Sequence, residues 1–530
     1  MTLAAAPVRE QPPAPAPVRP IAPRRRGVPW RVVGALAALC VVAAALRLER
    51  IDGWYWIDEA LSVGLARHDL LDIPGLLLRD GSPPLWYLLL HVWTDVFGTS
   101  EVATHAFSVV FALAAVPVAW LVARRLFGEL TAWATAAITA LSPFVTYFAT
   151  ETRMYSMVVV LGLAVAATFV LTFVYQQRSA TPWFVVSLLA LLYTHNWGLY
   201  TAVACAVALV PLVVVSVERR TLLERAALAF AVVAAGYLPW VPSLLSQVEN
   251  TGAPWSFTPS LRDVVRELAA LFRDERILAA LALAAGAGLA PLRTRWRSPE
   301  ALAVSSLAVL VAVPIAIGWG VAHLEPSWAT RYLAVVVGPL LLATGHGLAR
   351  AKGVGVAAIA ILAVLVIQPV TRVNGLTVHD DAKSNAKAVA DRMAPRLGDG
   401  DVVVVAQPEA VPLFAAYLGP GFDYADPTGP VEDPSVMDWR DAEARLQAAT
   451  PEDLEPVLDA LAPGGRLLVV LAGNEAADTD TTWVTRFRAA GRRLARSLQA
   501  DERFALVDRL RGPERPYVTF DALLFERVTD

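Results

Sequence analysis

The sequence predicts a mostly α-helical, polytopic membrane protein of eleven to twelve spans, carrying a small C-terminal α/β domain outside the membrane. Three observations predict it. Hydrophobic residues make up 56% of the 530-residue chain and charged residues only 18%, with a mean hydropathy of +0.50, too apolar for an ordinary soluble protein. Apolar runs long enough to cross a hydrocarbon layer of roughly 30 Å recur along the first 370 residues. Beyond Thr371 the composition turns into that of a soluble domain.

Residues 1–27 are rich in Pro and Ala without an apolar period, and are expected to form a disordered cytoplasmic tail. Arg24, Arg25 and Arg26 precede the first run, Val28–Leu46, which places the N-terminus in the cytoplasm by the positive-inside rule. A cleaved signal peptide is the competing reading, and the many later spans favour an anchor. Further runs are Val102–Val122, Leu130–Tyr147, Met154–Tyr175, Pro182–Tyr193, Trp197–Val217, Leu222–Leu244, Ile277–Leu292, Ala301–Val321, Ala329–Leu348 and Val354–Pro369. Arginines and lysines follow alternate runs, which assigns those turns to the cytoplasm. Pro83–Gly98 breaks this parity if it crosses, so a short, re-entrant or paired segment is expected there.

With that parity, residues 47–82 form the first extracytoplasmic loop of a transmembrane domain at 28–370, and most unusual polar residues fall on its side. The soluble domain, 371–530, shows a helical pattern near Ala386–Arg396, buried-strand runs at Asp401–Ala406 and Arg466–Ala472, and a basic helix near Arg486–Leu498. Cys40 and Cys205 lie inside apolar stretches and read as small core residues. The formal net charge of -3 argues for no nucleic-acid partner.

Three polar clusters carry candidate chemistry. Trp56-Ile57-Asp58-Glu59-Ala60 sets two adjacent carboxylates just beyond the first span, where a carboxylate can be oriented for proton transfer. The same acids read equally well as the cap and first turn of an interfacial helix. Asp80 precedes Pro83-Pro84-Leu85-Trp86-Tyr87, with His91 one helical turn past Tyr87 and on the same face; Asp80 is also consistent with a plain loop acid. Glu101 and His105, four apart, read as structural. Glu151-Thr152-Arg153-Met154-Tyr155 gathers an acid, a guanidinium and a phenol at the mouth of a span, suited to bidentate phosphate binding or to an interfacial ion pair. His195 and the Arg331-Tyr332 pair stand at further span ends, and charge at membrane depth is costly and usually functional.

No phosphate-binding loop, HExxH, nucleophile elbow or Cys-x-x-Cys is present, which removes primary pumps, zincins and serine hydrolases. Asp, Glu and His are available to a divalent metal, but no spacing demands one and no cofactor is required.

The ordered set Trp56–Ala60, Ser82–His91, Leu126-Phe127-Gly128, Glu151–Tyr155, Tyr193-Thr194-His195 and Arg331-Tyr332-Leu333 resembles the polyprenyl-phosphate-mannose-type transferases of the GT-C class. More narrowly it is similar to the bacterial branch of glycosyltransferase family thirty-nine, related to protein O-mannosyltransferases and to lipid A aminoarabinose transferase. The resemblance covers about Trp30 to Pro369. It implies a glycosyltransferase of the bacterial plasma membrane that uses a polyprenyl-phosphate-linked sugar and acts on an extracytoplasmic lipid, glycan or protein acceptor. Asp58 matches the acid that acts on the acceptor as general base, with Glu59 beside it, and inversion at the anomeric carbon follows. Arg153, Arg331 and His195 are the expected donors to the departing phosphate; Asp80, Tyr87, His91, Glu151, Tyr155 and Tyr332 are expected to contact substrate. The further lumenal domains of protein O-mannosyltransferases have no counterpart here, so a protein acceptor is not specifically implied. The alternative is a lipid or sugar transporter or flippase, although no internal repeat supports two similar halves.

Overall fold

The computed structural model describes residues 29–271, 278–279, 281–283, 286–370, 383–473, 481–513 and 518–528. The expected N-terminal tail, the start of the expected soluble domain at 371–382, and part of the run Ile277–Leu292 lie outside the described residues.

The α-helices of seven or more residues described in the first part are α1 (Trp30–Leu48), α2 (Ile57–Ala66), α3 (Ile73–Asp80), α4 (Leu85–Phe97), α5 (Glu101–Phe127), α6 (Glu129–Ala140), α7 (Pro143–Ala149), α8 (Tyr155–Phe169), α9 (Thr181–Leu192), α10 (Gly198–Val215), α11 (Arg219–Tyr237), α12 (Val241–Asn250), α13 (Leu261–Ala270), α14 (Pro299–Ala322), α15 (Ala334–Arg350) and α16 (Gly353–Val370). Among the described residues seven helical stretches are long and apolar enough to cross a membrane, or eight if α6 and α7 make one span. The chain is therefore a multi-pass membrane protein. The run Pro83–Gly98 is the 13-residue α4, about 20 Å long at 1.5 Å per residue, shorter than the hydrocarbon layer.

Local sequence explains where spans start and break. Ser100 caps α5 by accepting from Ala103 N, and Ser298 caps α14 ahead of Pro299. The run Leu130–Tyr147 is two helices bent by 49°, because Ser142 caps a new helix and Pro143 occupies its first turn, where a missing N–H costs nothing. Arg47, fully buried at the end of α1, donates to the Thr139 carbonyl at 3.1 Å in the last turn of α6. A cation there meets the negative end of the α6 dipole.

The C-terminal part is a six-stranded sheet in the order β3-β2-β1-β4-β6-β5, with β1 Val402–Val405, β2 Asp423–Asp426, β3 Gly429–Pro430, β4 Arg466–Ala472, β5 Phe504–Leu510 and β6 Phe520–Arg527. β1 is parallel to β2 and β4, while β6 runs antiparallel to β4 and β5. The two apolar runs foreseen in the sequence are thus central strands, covered on both faces. Val402, Val404, Leu467 and Val469 face one core; Val403, Val405, Leu468 and Val470 face the other. The stretch Ala442–Leu461 is broken at Thr450-Pro451 into α17 (Ala442–Ala448) and, past a 3₁₀ turn, α18 (Glu455–Ala460). The basic helix is α19 (Thr482–Ala500). Gly464, at φ +81°, does not end a helix but turns the chain into β4, its N–H donating to Arg527 O at 2.7 Å.

The second of these cores is shared. Tyr55, Ile57, Ala60, Leu61 and Val63 from α2 and its approach pack with Val411, Leu413, Phe414, Trp439 and Trp483 of the sheet domain. A Cβ at Gly64 would overlap the Ser435 carbonyl, so α2 lies against the domain at backbone contact.

α8 and α15 approach as closely in the membrane part, where a methyl on Gly338 would lie within 2.6 Å of Gly162 C and overlap Leu163 N. Forcing such groups apart costs about 1–3 kcal/mol. Gly338→Ala is expected to lower the thermal midpoint of the detergent-solubilised protein, and an unchanged midpoint would show that the two helices have room to spare.

Candidate active site

Adjacent residues on a helix project about 100° apart, and the first turn of α2 separates its two acids accordingly. Asp58 and Glu59 are its second and third residues, with Trp56 at the cap position, so the acids stand in the first turn where the helix dipole favours negative charge. They serve different neighbourhoods.

Asp58 faces the cluster. Its Oδ2 is 3.5 Å from Arg331 Nη2, with the two side chains 16% and 22% exposed. That oxygen is buried and accepts no hydrogen bond, which leaves a lone pair open beside a cation. Arg331 lies in the 3₁₀ turn Thr330–Leu333 that leads into α15. Arg153, the second residue before α8, reaches across with Nη1 to Ser62 Oγ at 3.1 Å, Tyr87 Oη at 3.3 Å and the Asp58 carbonyl at 3.4 Å. Tyr87 Oη donates to Asp80 Oδ2 at 3.3 Å. Burial raises the Asp80 carboxyl above its ordinary value, and Arg153 opposes the rise. The Nε groups of both Arg153 and Arg331 are buried without a hydrogen-bond partner, so the two guanidiniums retain donor capacity in one place.

An aromatic wall closes one side. Tyr332 meets His195 edge-on at 5.3 Å between ring centroids, His195 lies 6.1 Å from Tyr155, and the Tyr155 hydroxyl is buried without a hydrogen-bond partner. Arg331 sits 5.6 Å above the Tyr332 ring. His195 Nδ1 accepts from Trp197 N at 3.1 Å. Burial, then Arg153 and Arg331, push His195 down to about 3. It is therefore a neutral hydrogen-bonding group at physiological pH rather than the cation a phosphate would prefer.

Glu59 faces the other way. Its Oε1 meets His105 Nε2 at 2.6 Å and accepts from Thr152 N at 2.8 Å, while Trp56 N donates to Oε2 at 3.4 Å. Burial would raise this carboxyl, but His105, Lys383 and the hydrogen bonds outweigh it and hold it below the usual range. With its oxygens engaged in this way, Glu59 fixes α2 against the turn that carries Arg153. Glu151, in that turn, is 1% exposed and pairs with Lys383 of the C-terminal part. Its backbone carbonyl accepts from Arg153 N at 2.7 Å.

His91 is not brought to the cluster. α4 runs beside α2, so Tyr87 is level with its first turns and His91 with its end, where Nδ1 pairs with the Ala66 carbonyl at 3.0 Å and Nε2 lies 3.4 Å from Asp95. The sequence reading also missed partners. Glu101 meets Tyr417 Oη at 3.3 Å and Lys387 at 3.8 Å. Ser62, four residues past Asp58 and on its helix face, was findable from helical spacing. Lys383 and Glu409 had no motif to announce them. Glu409 is buried, accepts from Gln407 and Trp483 on Oε1 at 2.8 and 3.0 Å, and leaves Oε2 without a hydrogen bond; burial raises its carboxyl. Among the described residues no group of three or more His, Cys, Asp or Glu side chains is placed to hold a metal ion.

No family model and no curated protein matches the sequence. Solved structures do match the fold. ArnT from Cupriavidus metallidurans in the apo state superposes with a TM-score of 0.63 at 14% identity, over 93% of this chain and 98% of that one. The same protein bound to undecaprenyl phosphate gives 0.59 at 14%, over 95% and 99%. The oligosaccharyltransferase AglB from Archaeoglobus fulgidus, in complex with an inhibitory peptide and a dolichol-phosphate, gives 0.54 at 10%, over 83% and 69%. The chain thus has the GT-C fold of integral-membrane glycosyltransferases.

Two outcomes follow from this geometry. Glu59→Ala strips His105 and the Thr152 amide of a buried partner, a change that costs about 3–5 kcal/mol when one half of a buried pair is removed; it should lower the thermal midpoint more than any single substitution at Asp58. Unfolded His195 takes up a proton near 6.5, its folded counterpart only near 3, so stability falls as pH drops through that window. His195→Gln should flatten the decline of the midpoint between those values.

Proposed function

We propose that this protein is a membrane glycosyltransferase that moves a sugar from a polyprenyl-phosphate-linked donor to an acceptor hydroxyl on the extracytoplasmic side of a bacterial plasma membrane. The observation that carries the reading is the meeting of Asp58 with Arg331 at 3.5 Å, and with Arg153 at its own carbonyl, in one cluster where the ends of α2, α8 and α15 converge. The fold shared with ArnT, solved with undecaprenyl phosphate, and with AglB, solved with a dolichol-phosphate, supports a lipid-phosphate ligand.

Asp58 acts as general base. It takes the proton from the acceptor hydroxyl as that oxygen bonds to the anomeric carbon, and the carbon–oxygen bond to phosphate breaks with its electron pair leaving on the lipid phosphate. A single displacement from the opposite face inverts the anomeric centre. The leaving phosphate is a stable anion that needs charge neutralisation more than a proton, and Arg153 and Arg331 supply it in a site where water is scarce. His195 adds a neutral hydrogen bond, and Tyr155, Tyr332, Tyr87 and Asp80 line the space around the sugar. Glu59 and Glu151 hold the frame.

The test is transfer in membranes supplied with radiolabelled polyprenyl-phosphate sugars. Asp58→Asn should cut transfer by about 10²- to 10⁴-fold, the usual worth of a positioned general base, with lipid-phosphate binding retained. Arg153→Ala should weaken that binding by roughly 10- to 100-fold, the loss of a hydrogen bond to a charged group. Transfer unaffected by Asp58→Asn sinks the assignment, and sugar-lipid translocation without product would favour a transporter.

A further inference from the structure

The C-terminal part does more than cover α2. Lys383, just ahead of the helix Ala386–Met393, places its Nζ against the Glu151 carboxylate. The same ammonium lies 4.8 Å from the centroid of the Tyr147 ring and 5.6 Å from that of Trp56, so it is seated between two aromatic faces. The other carboxylate oxygen of Glu151, Oε2, is buried and accepts no hydrogen bond.

The turn behind this pair is the one that sets Arg153. Ser108 Oγ donates to the Glu151 carbonyl, Arg153 N donates to the same oxygen at 2.7 Å, and Thr152 N is held by Glu59 at 2.8 Å. Glu59 in turn meets His105 at 2.6 Å. With His105 protonated, Lys383, His105, Glu59 and Glu151 make a buried network of two cations and two carboxylates, drawn from four separate stretches of chain. Removing one cation leaves a carboxylate buried without compensation.

We propose that Lys383 is a positioning residue: through Glu151 it holds the Glu151–Arg153 turn in the conformation that presents Arg153 to a phosphate, which makes the C-terminal domain a working part of the membrane site. The proposal rests on the function inferred above. Lys383 itself need not touch the substrate. It is 20% exposed beside a Glu151 that is 1% exposed, and its charge is spent on that carboxylate.

The charges that act on Glu151 are Lys383 from the C-terminal part and Glu59 and Asp58 from α2, with His105 behind Glu59 and Arg153 two residues on in the same turn. Burial already raises the Glu151 carboxyl and Lys383 opposes that rise. Without the lysine, Glu151 takes up a proton at higher pH, so the defect of Lys383→Met should shrink as pH falls.

The full chain in detergent, probed with undecaprenyl phosphate and by amide hydrogen exchange at residues 150–153, decides the matter. Lys383→Met should lose roughly tenfold in affinity at pH 8, the scale of one charged hydrogen bond, with faster exchange in the turn and less loss at pH 5 relative to wild type. Lys383→Arg should retain binding, and Lys383→Met combined with Glu151→Gln should recover most of it because no buried charge is left unpaired. Wild-type exchange and binding in Lys383→Met, or a double variant as impaired as the single one, would overturn the proposal while leaving the function standing. Failure of the wild type to bind undecaprenyl phosphate would instead remove the proposed function, and the exchange pattern alone would then decide whether Lys383 holds the turn.

Discussion

Two carboxylates in succession at the start of a short helix cannot share a neighbourhood, and the arrangement of this protein depends on how that constraint is met. The rotation of a helix by about 100° per residue sends Glu59 into the protein and Asp58 toward the convergence of α8 and α15. Glu59 is consumed by structure: an imidazole from α5 and an amide from the turn before α8 are tied to it. Asp58 is left with a guanidinium nearby and an oxygen without a hydrogen bond. One acid therefore fixes the helix that presents the other to the cluster. Burying both is tolerable only because cations arrive from elsewhere in the chain to meet each.

The same economy runs through the rest of the site. Arg153 is aimed by hydrogen bonds to a serine and a tyrosine on two different helices, and Arg331 by the 3₁₀ turn at the mouth of α15. Neither arginine uses its Nε, so each keeps part of its rigid fork for a ligand, the property that distinguishes arginine from lysine in phosphate recognition. His195 is kept neutral by burial first and then by those two neighbours.

Much of this was legible in the sequence. The apolar runs gave the membrane class, the paired Asp401–Ala406 and Arg466–Ala472 runs gave the core of a sheet, and the polar residues at span ends named most of the cluster. Span counting was harder, since hydropathy registers composition and not direction: Leu130–Tyr147 is apolar throughout, yet Ser142-Pro143 starts a new helix inside it. Roles within the cluster were less legible still. Asp58 and Glu59 are chemically alike, and their opposite uses arise from helix phase relative to α5, which no local motif records. His91 sits one turn past Tyr87, but whether the neighbouring helix offers its start or its end to that face is a matter of packing. Lys383 comes from a stretch with no pattern, more than two hundred residues from its partner.

The core shared between α2 and the sheet domain bears on the order in which the protein matures. Tyr55 N donates to the Tyr417 hydroxyl at 2.6 Å across a separation of 362 residues, and Ile57 and Leu61 are buried against Phe414 and Trp483. During synthesis the spans enter the bilayer while those partners are still untranslated, so α2 must wait, partly uncovered, for a domain that emerges late. Such long-range contacts form slowly. A chain interrupted before Val411 would lack the side chains against which Tyr55, Ile57 and Leu61 are buried, and α2 would have nothing to cover that face.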